Sequence, residues 1–130
     1  MLDLDSLTLA DLIGVPYKMH GRDLAGLDCY GCGILAVYIL IKKKLRDVQN
    51  YTDNNVELEQ ENLPTLNVEK TDEIKPGHIL CMTLFNELHI GVVIDNKTFI
   101  HATRKQGVRI SPIAAYQIHS IYKVIDDGKN

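Results

Sequence analysis

An α+β domain with an antiparallel sheet is the fold class the sequence predicts, on three observations. Helical patterning is confined to the first third of the chain, and from Lys75 onward the sequence breaks into short β-branched runs separated by turn residues. A length of 130 residues, 45% of them hydrophobic and 24% charged, sets the scale at one domain, residues 1–130, with its own core.

The elements follow in order. "DSLTLADLIGVPY" offers Asp5 and Ser6 as N-caps, spaces Leu7, Leu9, Leu12 and Ile13 along a helical stripe, and stops at Gly14 and Pro16. A second helix is expected to start near Cys29 and continue through "ILAVYILIKKKLRDV". It is apolar almost all round at first, as a buried central helix must be, and the basic cluster Lys42, Lys43, Lys44 and Arg46 is read as its C-terminal end. From Asn50 to Glu73 the chain is polar and acidic without a sustained period, which reads as a surface excursion over about 50–73. After "KPG", the segments "HILCMTLF", "LHIGVVID", "TFIHAT", "GVRIS" and "HSIYKVID" read as five strands. The expected architecture is N-terminal helices, the second of them central, packed on a five- to six-stranded antiparallel sheet.

Charge and composition exclude several functions. A net charge of -3 argues against nucleic acid as the main partner, because phosphate binding needs a basic surface. The opening "MLDLDSLTL" lacks the layout of a secretory signal, and the apolar run from Gly33 stops at Lys42, short of a membrane span. The expectation is synthesis in the cytoplasm with no membrane association. Three cysteines, an odd number, fit reduced thiols better than a disulfide framework.

Side chains alternate along a strand, so His89, Gly91, Val93 and Asp95 share one face of their strand, and Phe99, His101 and Thr103 likewise share a face of theirs. A turn at Asp95 to Lys97 would pair positions whose numbers sum to about 190, making His89 and His101 direct cross-strand neighbours. Gly91 on that face would admit the central helix. Cys29 at the helix N-terminus, with His89 and His101 on the sheet beneath, then forms a Cys/His/His constellation. In it a helix N-terminus and an imidazole favour the thiolate, and the second imidazole orients the first. Gly31 and Gly33 would leave room for a substrate carbonyl, and the N–H groups of Cys29 and Tyr30 would face the oxyanion.

Two other readings stand beside this one. A cysteine beside an apolar helix is ordinarily core filler. Cys29-x-x-Cys32 with His78-x-x-Cys81 is formally a Cys3His zinc set, which would make the chain a zinc-stapled structural or interaction domain. Against zinc, Cys32 leads straight into the helical run, and His78 and Cys81 would point to different faces of a strand.

Ordered motifs now give a resemblance. "GVPYKMHG", "LDCYG", "IKPGHIL", "HIGVVID" and "FIHATRKQGVRIS", in this order, resemble the NlpC/p-sixty family of papain-like cell-wall cysteine peptidases over nearly the whole chain. The resemblance implies a papain-like fold, Cys29 as nucleophile, His89 as base and His101 as the orienting residue. It implies that Tyr17 hydrogen-bonds near the nucleophile and that Asp28 binds the free amine of the substrate. The implied reaction is hydrolysis of the bond between the D-glutamate side-chain carboxyl and a diamino acid in peptidoglycan stem peptides, without a cofactor or metal. Three positions depart from the pattern: Tyr30 follows the cysteine in place of a small serine, His78 replaces an aspartate, and His20-Gly21 replaces paired glycines. The aromatic Tyr30 in the box is similar to the phage tail-associated branch, which implies phage tail proteins as partners and action at the cell wall. Cys/His/His chemistry on this fold also serves amidases and acyltransferases, an alternative that the motifs leave open.

Overall fold

A computed structural model describes residues 2–48 and 67–125. A 3-10 turn, Leu4–Ser6, is capped by the Asp3 carboxylate and followed by the short helix α1, Leu9–Leu12. Thr8 and Asp11 make the capping box, so the cap falls at Thr8 and neither Asp5 nor Ser6 starts this helix. Gly14 ends the segment with φ +87°, a left-handed conformation that costs glycine little.

A two-residue hairpin, β1 (Arg22–Asp23) with β2 (Gly26–Leu27), leads into α2, Cys29–Ile41. Asp28 caps α2 by accepting from the Gly31 N–H. The helix ends earlier than the sequence suggests. Lys42 adopts φ +58°, and its N–H closes the last turn on the Tyr38 carbonyl, so Lys43, Lys44 and Arg46 lie beyond the helix. Leu45 is buried at 3% exposure, and Asn67 holds this exit by accepting from the Arg46 N–H and donating to the Lys44 and Ile125 carbonyls. Those contacts favour a turn where the basic run alone suggested helix.

Among the described residues the main sheet has six antiparallel strands in the order β3-β8-β4-β5-β6-β7. They are β3 (Val68–Thr71), β4 (Ile79–Leu84), β5 (Glu87–Val93), β6 (Thr98–Thr103), β7 (Gly107–Pro112) and β8 (Ile118–Val124). The five expected strands are β4 to β8. β3 is an additional edge strand inside the stretch read as an excursion, whose residues 50–66 lie outside the described residues.

Two apolar layers sandwich the sheet. On one face, Ile79, Cys81, Ile90, Val92, Ile100, Ala102 and Val108 pack with α2 into the main core. The other face carries a smaller cluster, Leu80, Met82, Val93 and Phe99, covered by Ile113, Tyr116, Ile118 and Ile121. Gly33 marks the first contact, since a Cβ there would meet Ile90 Cδ1 at 3.2 Å. Gly91 lies on the second face, where a Cβ would run into the Phe99 ring. The ring of Phe99, and not the central helix, is therefore the visitor at Gly91.

Candidate active site

β5 and β6 form a hairpin whose recorded pairs are Val92 with Ile100 and Val93 with Phe99. The numbers sum to 192, where a turn centred on Asp95 to Lys97 gives 190. Asp95 sets this register through its carboxylate, which accepts from the N–H groups of Lys97 and Thr98 and from the Thr98 hydroxyl. A shift of two preserves side-chain facing, so His89 and His101 remain on one side as diagonal neighbours. Their Nε2 and Nδ1 atoms lie 2.7 Å apart.

The pair sits on the second face of the sheet. Met82 is directly across from His89, and His101 packs against Phe99 and Tyr116 with ring centroids 4.5 and 5.5 Å away. His89 is 3% exposed and His101 fully buried. Burial pulls the pKa of His89 down to about 4 and that of His101 to about 3, the latter helped by the adjoining His89 and by Arg109 across the strand pair. Both imidazoles are neutral at physiological pH.

A serine extends this chain. Ser111 on β7, 3% exposed, places its Oγ 2.8 Å from His101 Nε2. Sequence reasoning missed it because a serine in "GVRIS" carries no signal of its own. Only the pairing of Phe99 with Ser111 shows that it shares the imidazole face.

Past Val92 and Ile100 the two strands splay. Residue 93 turns its backbone to β4, as shown by Val93 N–H bonding to the His78 carbonyl, and residue 94 turns to β6, where Ile94 N–H bonds to the Thr98 carbonyl. By parity Ile90 also points its N–H toward β6. That N–H serves the Cys29 thiol. The nucleophile candidate is therefore held at the opening between β5 and β6, one residue along from His89. A groove of about 800 Å³ reaches His89 but not Cys29, lined by Leu88 and His89 on one side and Ala102, Thr103 and Arg104 on the other. Arg104 bonds to Glu87 across its mouth and lies 4.9 Å from the centre of the Tyr17 ring.

Cys29 itself is 1% exposed, and burial pushes its pKa up to about 12 despite the N–H of Ile90. The helix N-terminus and its neighbours do not yield a thiolate here: desolvation, joined by the charge of Asp28, outweighs them. Cys32 is equally buried and its thiol is raised further.

The segment preceding the cysteine is fixed by Asp28. This fully buried carboxylate accepts from the Gly31 N–H at 2.8 Å, the His20 N–H at 2.8 Å and the Arg22 guanidinium at 3.0 Å. These partners make it a cap and a clamp. His20 holds φ +63°, the left-handed backbone that glycine supplies at this place in the resembling motif. A Cβ at Gly31 would strike the Gly21 carbonyl, so Gly31 and Gly33 serve helix packing and leave no room for a substrate. Tyr17 bridges in parallel to Leu27, two residues before the thiol. Tyr30 is fully buried, donating its hydroxyl to the Arg46 carbonyl at 2.6 Å, which ties the helix start to the chain beyond the helix.

The zinc reading fails on geometry. His78 Nδ1 is bonded to the Glu73 carbonyl at 2.9 Å, and among the described residues no three side chains of Cys29, Cys32, His78, Cys81 or any other Cys, His, Asp or Glu are grouped to hold a metal ion.

The fold is the papain-like arrangement of the α+β class, with a helix carrying Cys29 at its N-terminus packed on an antiparallel sheet. Residues 14–125 match the NlpC/P60 family, and the chain belongs to it. Among solved structures it is similar to the NlpC/p60 domain of the peptidoglycan hydrolase SagA, at 16% identity and a TM-score of 0.58, over 89% of this chain and 95% of that one. Comparison with curated proteins gives no match.

Proposed function

We propose that this chain is a cysteine peptidase of the cell wall, hydrolysing the D-glutamyl to diamino acid bond of peptidoglycan stem peptides with Cys29 as nucleophile, His89 as general base and His101 behind it. The family membership and the likeness to a peptidoglycan hydrolase domain support the substrate class. The observation that carries the mechanism is the opening between β5 and β6, which brings the Cys29 thiol to the Ile90 N–H beside a hydrogen-bonded pair of neutral histidines.

Thiol and imidazole both start uncharged. As Sγ attacks the acyl carbon, its proton passes to His89, and the positive charge that develops is stabilised by the hydrogen bond to His101. The N–H groups of Cys29 and Tyr30 at the start of α2 are the candidate oxyanion donors. Collapse of the tetrahedral intermediate breaks the C–N bond and returns the proton from His89 to the leaving amine. Water, deprotonated by His89, then cleaves the thioester and restores the thiol. Two recorded residue pairs hold β5 to β6, so widening the groove around a substrate breaks few backbone bonds. We extend the proposal to a phage tail as the carrier, on the aromatic Tyr30 of the "DCYG" box alone.

Digestion of purified peptidoglycan with the wild type and with Cys29→Ala, followed by mass analysis of the fragments, tests the reading. New amino termini on the diamino acid, absent with Cys29→Ala, are expected. Cleavage at another bond would move the specificity, and cleavage by Cys29→Ala would remove the nucleophile.

A further inference from the structure

The chain Ser111–His101–His89 has two possible directions, and they give His89 opposite chemistry. If the Ser111 hydroxyl donates to His101 Nε2, then His101 Nδ1–H must donate to His89 Nε2, and His89 presents an N–H at Nδ1. If Ser111 instead accepts from His101 Nε2–H, then His89 Nε2–H donates to His101 Nδ1, and His89 presents a bare lone pair at Nδ1. Only the second direction can take a proton from a thiol. The two contacts, 2.7 and 2.8 Å, are short enough for the three side chains to reverse only together.

We infer that Ser111 is a positioning residue of the active site, whose Oγ accepts from His101 Nε2–H and thereby fixes His89 as a base at Nδ1. The inference rests on the proposed Cys/His/His reading and adds to it the residue that decides its proton inventory. Three observations carry it. Ser111 is almost fully buried with its Oγ on His101 Nε2, so this contact couples the hydroxyl's orientation to the tautomer of His101. His101 is fully buried between Phe99 and Tyr116, and its two ring nitrogens are taken by His89 and Ser111. The hydroxyl, unlike a carboxylate, carries no charge to hold a proton on the pair, which matches two imidazoles that stay neutral in the resting protein.

The same arrangement stabilises the charge that forms during reaction. When His89 gains the thiol proton at Nδ1, its Nε2–H goes on donating to His101 Nδ1 while His101 Nε2–H is held by Ser111 Oγ, so the charge stays on His89, the imidazole of higher pKa, and a hydrogen bond to a neutral partner stabilises it. No proton is created or lost. A serine pointing its hydrogen at His101 would turn His101 Nδ1–H toward His89 Nε2 and remove this acceptor.

Nitrogen NMR of the imidazoles reads the tautomers directly and needs no substrate. Wild type is expected to show Nε2–H and bare Nδ1 on both His89 and His101. In Ser111→Ala His101 Nε2–H loses its acceptor, so a population with Nδ1–H on His101 and His89 should appear, while Ser111→Thr, which keeps the hydroxyl, should retain the wild-type pattern. In kinetics, kcat should fall roughly tenfold to a hundredfold in Ser111→Ala with KM unchanged, a part of the ~10²–10⁴ that a positioned base supplies. Ser111→Thr should recover most of it. Nδ1–H on His89 in the wild type, or an unchanged tautomer in Ser111→Ala, overturns the inference even if the enzyme cleaves peptidoglycan. The expected tautomers in a protein that cleaves nothing would leave Ser111 in place and sink the proposed reaction instead.

Discussion

At Cys29 two influences oppose each other: a helix N-terminus and the Ile90 N–H favour the thiolate, while full burial and the Asp28 carboxylate disfavour it. Burial wins, with a pKa of about 12. The expected outcome is that ultraviolet absorbance at the thiolate band stays flat up to about pH 9 and that alkylation of Cys29 is slow at neutral pH. A thiolate signal near neutrality, lost in Cys29→Ala, would show that water reaches the thiol. Cys32→Ser should retain activity, because Cys32 packs in the core one turn further along. At this scale the site was legible for one reason: strand alternation and a hairpin put two histidines on one face, and an error of two in the register left the facing intact. Ser111 and the clamp around Asp28 were not legible, since a serine or an aspartate shows no partner until the strands are paired.

Among the elements, the β4–β5 hairpin turns on Phe85 and Asn86, both left-handed, with φ +52° and +65°. Phe85 is 89% exposed, so it has little packing to offset a conformation that costs a residue with a Cβ about 1–2 kcal/mol. Phe85→Gly is therefore expected to stabilise the protein by about 1 kcal/mol, read as a rise of a few degrees in Tm. A lower Tm would mean that the ring packs in solution. The five strands from β4 to β8 were legible because each is β-branched and bounded by turn residues. β3 was hidden: Glu69 and Lys70 are exposed on an edge strand, where charge is the rule and alternation is weak. The end of α2 is not legible because a basic run suits a helix C-terminus, and only Lys42 in a left-handed cap and the Asn67 contacts show where the helix stops.

For the whole molecule, α2 with Cys29 packs in one layer and the histidine pair in the other, the two facing each other at the opening between β5 and β6, a division that the sequence could not disclose because it depends on which face α2 covers. Burying the histidine pair in the smaller layer has a consequence for stability. Both imidazoles ionise near pH 6.5 when unfolded, but at about 4 and about 3 in the folded protein. Between those values the unfolded chain binds more protons, so folding weakens as pH falls from about 6.5 toward 4 and is unaffected by these groups above about 7. Each contributes a loss on the order of 2 kcal/mol by about pH 5, a large share of a domain's usual 5–15 kcal/mol. Denaturant midpoints should drop steeply from about pH 7 to 5 in the wild type, and less steeply in His101→Gln, which keeps a hydrogen-bonding side chain but cannot take the proton. His89 stays neutral throughout that window, so the acid limb of activity should track unfolding and not protonation of the base. A limb centred near pH 6 in protein that circular dichroism shows to be folded would place the His89 pKa far above about 4 and the pair in contact with water.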